Sequence, residues 1–345
     1  MHIVYSNQHY KHATRLALPG YDEDYLEIPD RAEAILAAVA TAQLGPVVPA
    51  VDFGLAPIVA VHDVAFVSFL QRAFGELQQR QPGTFMLLPD AYFAVRGQRH
   101  RPVELRRLAN YYAIDRDCPL LAGTWEAAYW SAQVALTAAG LVRGGERAAY
   151  ALCRPPGHHA SVDQYGGYCY LNNAAIAARW LQGEDASRVA IVDIDTHHGN
   201  GTQEIFYADA SVLTCSLHAD PDVEYPYFWG GREEVGVGAG IGYNRNWPLP
   251  PRTNDEAYLV ALDEALDSVR AFAPKVLVIS AGFDLMADDL SVPDGGLSIT
   301  PDGLEEIARR LAALALPTVI VQEGGYRLER LGSYAISFLR EFAGL

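Results

Sequence analysis

Sulfur and positive charge are both scarce in this chain of 345 residues. Its four cysteines, Cys118, Cys153, Cys169 and Cys215, include no CxxC pair. So few thiols in so long a chain exclude a disulfide scaffold. Cys153, Cys169 and Cys215 fall in apolar strand-like or turn contexts and read as buried free thiols. Lysine occurs only at Lys11 and Lys275, and 26 Lys and Arg stand against 42 Asp and Glu, a net charge of −16. Phosphate contacts need clustered cations, so a nucleic-acid partner is excluded. The acid excess serves solubility or the attraction of a cationic substrate. No apolar run is long enough to span a bilayer. The start, Met1-His2-Ile3-Val4-Tyr5-Ser6, reads as a strand rather than a secretion signal, so no membrane partner and a cytoplasmic location are expected. Repeats and low-complexity linkers are also missing, and residues 1–345 are expected to form a single domain.

Half of the residues are hydrophobic, enough for a large core. Apolar runs predict strands at Ile3–Ser6, Ala148–Cys153, Val189–Ile194, Ser211–Leu217, Val276–Ser280 and Thr318–Gln322. Helical spacing marks Arg31–Thr41, Asp63–Gln78, Trp125–Ala139, Asn173–Leu181, Glu256–Phe272 and Asp302–Ala315. Alternating helices and continuously apolar strands predict an α/β fold: a mainly parallel central sheet with helices on both faces. The stretch 81–110 mixes Pro, Gly, Arg and His without a period and reads as a long inserted loop.

Four polar clusters each follow a predicted strand: His158-His159, Asp195 with His197, Asp284, and Tyr326. Ligands of open parallel sheets bind beyond the carboxyl ends of the strands, so these clusters are expected to converge. Asp193, Asp195 and His197 are spaced by two, which places them on one face of an extended segment. A bare Asp193 carboxylate inside an apolar strand is costly; a cation, a histidine or a buried arginine would satisfy it. Asp195, His197 and Asp284 make a catalytic zinc set, although Asp284 alone also suits a turn. His158-His159, presented by Pro155-Pro156-Gly157, read as two neutral imidazoles, each oriented by a buried polar partner. Gly324-Gly325 lets Tyr326 approach closely as an oxyanion donor, or leaves it a buried tyrosine at a turn. His62, His198 and His218 carry less signal, and His198 reads as structural.

These residues resemble the arginase/deacetylase-type metallohydrolases, and more narrowly the histone-deacetylase-like and bacterial acetylpolyamine amidohydrolases. The segments that carry the resemblance are Cys153–Ala160, Gly166–Ala174, Asp193–Gln203, Ser280–Asp284 and Glu323–Tyr326. The resemblance implies one Zn²⁺ per subunit on Asp195, His197 and Asp284. It implies that His159, paired with Asn200, is the general base, that His158 pairs with Asp193 and assists as an electrostatic or acid group, and that Tyr326 polarises the scissile carbonyl. It also implies structural K⁺ ions, one at Asp193, Asp195, His197, Ser216 and Leu217, another at Phe206, Asp209, Val212 and Tyr243. Tyr168 and Tyr225 would line the tunnel beside Gly167, where the family often has phenylalanine; the extra hydroxyls alter its polarity.

The 81–110 insertion resembles the long loop through which polyamine-type members form homodimers with a narrowed entrance. Asp117 matches an acidic position that would hold an ammonium group. The loop departs from that pattern in being basic, with Arg96, Arg99, Arg101, Arg106 and Arg107 against Asp90 and Glu104. That composition favours short acetylated diamines, such as acetylputrescine or acetylcadaverine, over long polyamines. The alternative is an acyl-lysine deacetylase acting on peptides or proteins. A catalytically silent scaffold is disfavoured because every ligand and Tyr326 are present. A two-metal, arginase-type site would need more aspartates.

Overall fold

The computed structural model describes residues 1–14, 25–89, 100–183, 188–292 and 295–344. Eight strands pair in one wholly parallel sheet: β1 (His2–Tyr5), β2 (Val47–Pro49), β3 (Ala148–Ala151), β4 (Val189–Asp193), β5 (Val212–Ala219), β6 (Asn244–Leu249), β7 (Val276–Ala281) and β8 (Thr318–Gln322). Their order across the sheet is β2-β1-β3-β8-β7-β4-β5-β6. The described helices are α1 (Asp30–Ala42), α2 (Ala56–Val59), α3 (Val64–Arg80), α4 (Leu105–Tyr112), α5 (Thr124–Arg143), α6 (Asn173–Gln182), α7 (Asn200–Phe206), α8 (Asp255–Phe272), α9 (Pro301–Ala312) and α10 (Leu328–Ala343).

The predicted α/β architecture is the observed one. Strands β3, β4, β5, β7 and β8 are buried along their whole length, because helices cover both faces. Successive strand residues serve opposite cores. Val276, Val278, Val319 and Val321 pack with α3 to α7, whereas Leu277, Ile279 and Ile320 pack with α1 and α8 to α10. Helix starts are chemically marked. Asp63 Oδ1 accepts the amides of Ala65 and Phe66 at 2.8 and 3.0 Å, and Asn172 Oδ1 accepts that of Ala175 at 2.9 Å, each satisfying donors that a helix leaves open.

The inserted stretch differs from its sequence reading. Part of it is helical: Glu104 caps α4 through the Arg107 amide at 3.0 Å, and Leu105, Ala109 and Tyr112 form its buried face. The intervening arginines mask that i, i+4, i+7 pattern. Arg101 lies over the Tyr112 ring, and Arg106 bonds Gln81 at 3.0 Å. Asp90, Arg96 and Arg99 lie outside the described residues. Strands β2 and β6 were not predicted either. They are the two edges of the sheet, and their Pro49 and Pro248 interrupt the apolar signal, as edges tolerate. Helix α9 stops three residues short of its predicted end, where Ala315 adopts φ 54°. All four cysteines are free and buried.

His62 shows how buried histidines are used away from the sheet edge. Its Nδ1 donates to the Ser161 carbonyl at 2.8 Å, and its Nε2 accepts the Asn172 amide at 2.9 Å. Only a neutral ring makes both bonds. Burial lowers its pKa to about 4, against the pull of the Ser161 and Val162 carbonyls; burial likewise lowers His218 to about 4. The unfolded chain takes up these protons near pH 6.5 and the folded chain does not until about pH 4, so stability falls as pH drops across that interval. Urea midpoints measured between pH 7.5 and 5 should decline towards acid, and less steeply in His62→Gln. A parallel decline in the variant would remove His62 as a source.

Candidate active site

Four adjacent strands, β3, β8, β7 and β4, end on one edge, and each releases one of the predicted clusters there. Asp195 and His197 follow β4, Asp284 follows β7, His158-His159 follow β3, and Tyr326 follows β8. Their convergence is thus a consequence of strand order and common direction.

One ligand atom from each of Asp195, His197 and Asp284 lies within 4.8 Å of those of the other two. His197 Nδ1 is 3.2 Å from Asp195 Oδ1 and 3.3 Å from Asp284 Oδ2. Backbone amides fix the carboxylates: Thr196 donates to Asp284 Oδ1 at 3.0 Å, and Gly324 to Asp195 Oδ2 at 2.8 Å. Asp284 Oδ2 is buried and receives no hydrogen bond. A Cβ on Gly324 would stand 2.1 Å from that oxygen and 2.6 Å from Asp195 Oδ2, so the sheet edge leaves these atoms to one another. Burial and the neighbouring Asp195 raise the Asp284 carboxyl to about 7. Burial opposes charge on His197, but its hydrogen bond to Asp195 and the Asp284 carboxylate beside it outweigh that and raise the ring well above its usual value. Two oxygens and one imidazole nitrogen that jointly demand positive charge are a fitting donor set for a divalent cation.

The histidine pair lies against this trio with its ring centroids 3.9 Å apart. His158 Nδ1 meets Asp193 Oδ2 at 3.0 Å, and His159 Nδ1 meets Asn200 Oδ1 at 2.8 Å, the pairings expected. Read from the residues alone as two neutral rings, they differ in their surroundings. Burial disfavours the His158 cation, yet Asp195 and Asp193 raise it to about 10. Burial, with His158 and His197 nearby, holds His159 well below its usual value. The two surroundings push the rings in opposite directions, the arrangement that separates an acid from a base. His198 is structural as read, bonded to Ser216 at 3.0 Å and Gln203 at 3.1 Å.

Tyr326 is 6% exposed, its amide held by Asp289 Oδ2 at 2.7 Å. Arg31, which carried no signal in the sequence, stands behind it. The guanidinium lies 4.5 Å from the ring centroid, and its Nε and Nη2 donate to the Gly325 and Glu323 carbonyls at 2.7 and 2.6 Å. Buried Glu27 neutralises Arg31 at 3.1 Å and Arg154 at 2.8 Å. A second missed group is Glu323, fully buried, with Oε2 accepting the Gly157 amide at 2.6 Å and the His158 amide at 3.2 Å. Burial raises it to about 8, against the pull of His158.

A cavity of about 220 Å³ opens over the site, lined by Tyr326, His159, His197, Gly167, Tyr168, Tyr225 and Asp117 among others. The expected wall residues thus share one cavity. Tyr168 meets Tyr326 edge-on at 5.8 Å, and Tyr225 meets His159 at 4.9 Å and 89°. Burial raises the Asp117 carboxyl, with Arg116 opposing. Glu224 also lines the cavity and was missed, its Oε1 lying 4.0 Å from His197 Nε2; its place just after β5 is the signal that could have found it. Of the positions assigned to potassium, Asp193 and Ser216 are register partners. Asp209 donates its amide to the Phe206 carbonyl at 2.9 Å, and its carboxylate pairs with Arg179 at 2.9 Å.

Arg31→Ala should cost about 3 kcal/mol or more of folding stability, because it leaves Glu27 with one cation fewer. It should also slow turnover by about 100-fold, through displacement of Tyr326. Urea unfolding and single-turnover assays separate the two effects. Arg31→Lys should recover stability better than rate, since an ammonium lacks the planar fork.

A sequence model of the Histone deacetylase domain matches residues 25–342. The chain is 46% identical over 327 residues to an acetylpolyamine amidohydrolase of Burkholderia pseudomallei, covering 92% of each chain. It is 42% identical over 343 residues to acetylpolyamine amidohydrolase 1 of Pseudomonas aeruginosa, covering 99% of this chain and 98% of that one. The crystal structure of acetylpolyamine aminohydrolase from Burkholderia pseudomallei superposes with a TM-score of 0.91 at 43% identity, covering 100% and 99% of the two chains. With the match spanning nearly the whole chain and the polar edge built as described, the chain belongs to the histone deacetylase domain family.

Proposed function

We propose that the protein is a zinc-dependent amidohydrolase that removes acetyl groups from acetylated polyamines or short diamines such as acetylputrescine and acetylcadaverine. The observation that carries this is the Asp195-His197-Asp284 trio set beside a histidine pair bonded to Asp193 and Asn200, and beside Tyr326, at the base of a cavity lined by Asp117. Four relatives at 37–46% identity bear the name acetylpolyamine amidohydrolase, which supports this substrate class.

Zn²⁺ held by Asp195, His197 and Asp284 would supply Lewis acidity, polarising the acetamide carbonyl and lowering the pKa of water. The chain's own groups supply the rest. Asn200 Oδ1 accepts from His159 Nδ1, so Nδ1 carries the proton and Nε2 is free to accept one from attacking water. His158, held charged on Asp193, stabilises negative charge as it develops and is the proton source for the departing amine. Burial keeps the Tyr326 phenol well above its usual pKa, with Arg31 opposing, so it remains an O–H donor for the oxyanion. Asp117 would attract the free ammonium of a diamine. The potassium positions would take K⁺ as a structural ion. The 81–110 segment would build a homodimer.

Chelation should abolish hydrolysis and Zn²⁺ should restore it. Asp284→Ala should weaken Zn²⁺ binding in chelator competition by at least about 100-fold, since the loss of a ligand exceeds the 10- to 100-fold cost of losing a ligand's partner. The decisive assay sets acetylputrescine, acetylcadaverine, acetylspermidine and an acetyl-lysine peptide side by side, with Tyr326→Phe as control. Preference for the small amines, with hydrolysis lowered about 100-fold or more in the variant, is the expected result. Preference for the peptide would overturn the substrate assignment.

A further inference from the structure

The peptide unit that joins Gly325 to Tyr326 is held at both ends. Its carbonyl accepts Arg31 Nε at 2.7 Å, and its N–H donates to Asp289 Oδ2 at 2.7 Å. The next amide, of Arg327, donates to the same oxygen at 3.2 Å. Asp289 is 9% exposed, and its Oδ1 accepts the amide and hydroxyl of Ser291 at 2.9 and 2.8 Å. Both oxygens of the carboxylate are therefore engaged, by donors from two loops.

We propose that Asp289 is a positioning residue of the reaction: it fixes the Gly325–Tyr326 peptide from the amide side, opposite Arg31, and so aims the Tyr326 phenol at the scissile carbonyl. The proposal rests on the deacetylase reading above and names a residue that acts in it through Tyr326.

The turn needs a restraint from outside. Gly325 has φ 113°, a region that glycine enters freely, and another glycine precedes it. Two glycines in succession give the chain no conformation of its own. The peptide between residues 325 and 326 is a rigid plate hinged on two soft torsions, ψ of Gly325 and φ of Tyr326. A change in either swings the Tyr326 Cβ, and the phenol at the far end of the side chain magnifies the error. In a trans peptide the carbonyl and the N–H point in opposite directions. Holding one by Arg31 and the other by Asp289 removes that freedom. The ring contacts, Arg31 at 4.5 Å and Tyr168 edge-on at 5.8 Å, restrain the ring but not its root.

The place of Asp289 in the fold suits this part. It lies on the loop that leaves β7 through Asp284, so one segment supplies a member of the Asp195-His197-Asp284 trio and also sets the phenol. Both must address the same carbonyl oxygen. The loop is tied on its other side: the Ala287 amide donates to the Ile299 carbonyl at 3.1 Å, and Asp288 Oδ1 accepts the Tyr334 hydroxyl at 2.8 Å. The carboxylate also stands at the start of α10, whose N-cap, Arg327, makes no capping bond with its side chain. Negative charge is favoured there.

The test is a double-mutant cycle. Asp289→Ala and Asp289→Asn are made in the wild type and in Tyr326→Phe, and kcat and KM are taken on whichever substrate of the panel above the wild type hydrolyses fastest. Asp289→Ala should lower kcat about 100-fold, the scale for a misplaced reacting group. KM should change little, the mark of an interaction made in the transition state. Asp289→Asn keeps an oxygen for the two amides but not the charge, and should lose about tenfold. In the Tyr326→Phe background neither change should lower kcat more than about threefold, because the hydroxyl being aimed is gone. A merely structural role gives the same loss in both backgrounds. Should Asp289→Ala fail to fold, Asp289→Asn, of nearly the same size, decides alone. An active wild type whose kcat is unmoved by the variants, or falls by the same factor with and without the Tyr326 hydroxyl, overturns this proposal by itself. A wild type inactive on the whole panel overturns the functional reading, and this proposal with it.

Discussion

Carboxylates buried at the carboxyl edge of the sheet must find positive charge, and most of the site's construction follows from that requirement. Asp193, Asp195, Asp284 and Glu323 are each 3% exposed or less, as is Glu27 just behind them. An isolated buried carboxylate is too costly to persist. Glu27 is answered by Arg31 and Arg154, Asp193 by His158, and Asp195 with Asp284 by His197. Glu323 takes the other course, its pKa raised to about 8. The same cations then carry structure outward. Arg154 donates to the carbonyls of His9 and His12 at 2.7 and 2.8 Å, and Arg31 to those of Glu323 and Gly325. Neutralisation of charge and positioning of Tyr326 are therefore one network, and a change at Glu27 would be felt at the phenol.

Much of this was legible in the sequence, for a physical reason. A parallel sheet buried on both faces writes itself as continuous apolar runs, and the polar residue after each run has only one place to go. Hence β3, β4, β5, β7 and β8 follow from short stretches of chain, whereas the pairings His158–Asp193 and His159–Asn200 were expected only through the family resemblance. Arg31, Asp115, Glu224 and Glu323 did not emerge because their meaning lies in partners far along the chain. Arg31 reaches residues almost 300 positions away, with a sequence separation of 294 to Gly325. Asp115 gains its partners only when residues 167 and 225 fold against it. The edge strands were hidden for other reasons: β2 is exposed, and β6 carries buried Asn244 and Asn246 with Pro248 in place of an apolar run.

The charge states of the histidine pair were likewise beyond sequence. Adjacent imidazoles in one turn look equivalent and read from the residues alone as neutral, whereas the family resemblance gave His158 an electrostatic or acid part. Their difference arises from orientation alone. His158 faces two carboxylates, whereas His159 faces a neutral amide and has two histidines nearby. Asn200 matters here as a residue without charge. A carboxylate in its place would raise His159 and narrow the separation between the two rings.

Groups that act on the reacting atoms and groups that select the substrate sit on different kinds of support. Asp195, His197, Asp284, His158 and His159 follow strand ends anchored in the buried sheet, where backbone amides and paired strands hold position. Tyr168, Tyr225, Asp117 and Glu224 stand on loops, and those of Asp117, Gly167 and Tyr225 meet at the Asp115 carboxylate. Chemistry that tolerates little displacement belongs on the rigid edge, and recognition can vary on the loops. In the proposed reaction, charge at Asp117 and Glu224 would draw an amine in, while the gap between Tyr168 and Tyr225 would decide its width. Because those two controls use different residues, either can change without disturbing the carboxylate–histidine edge that the rest of the fold is arranged to hold.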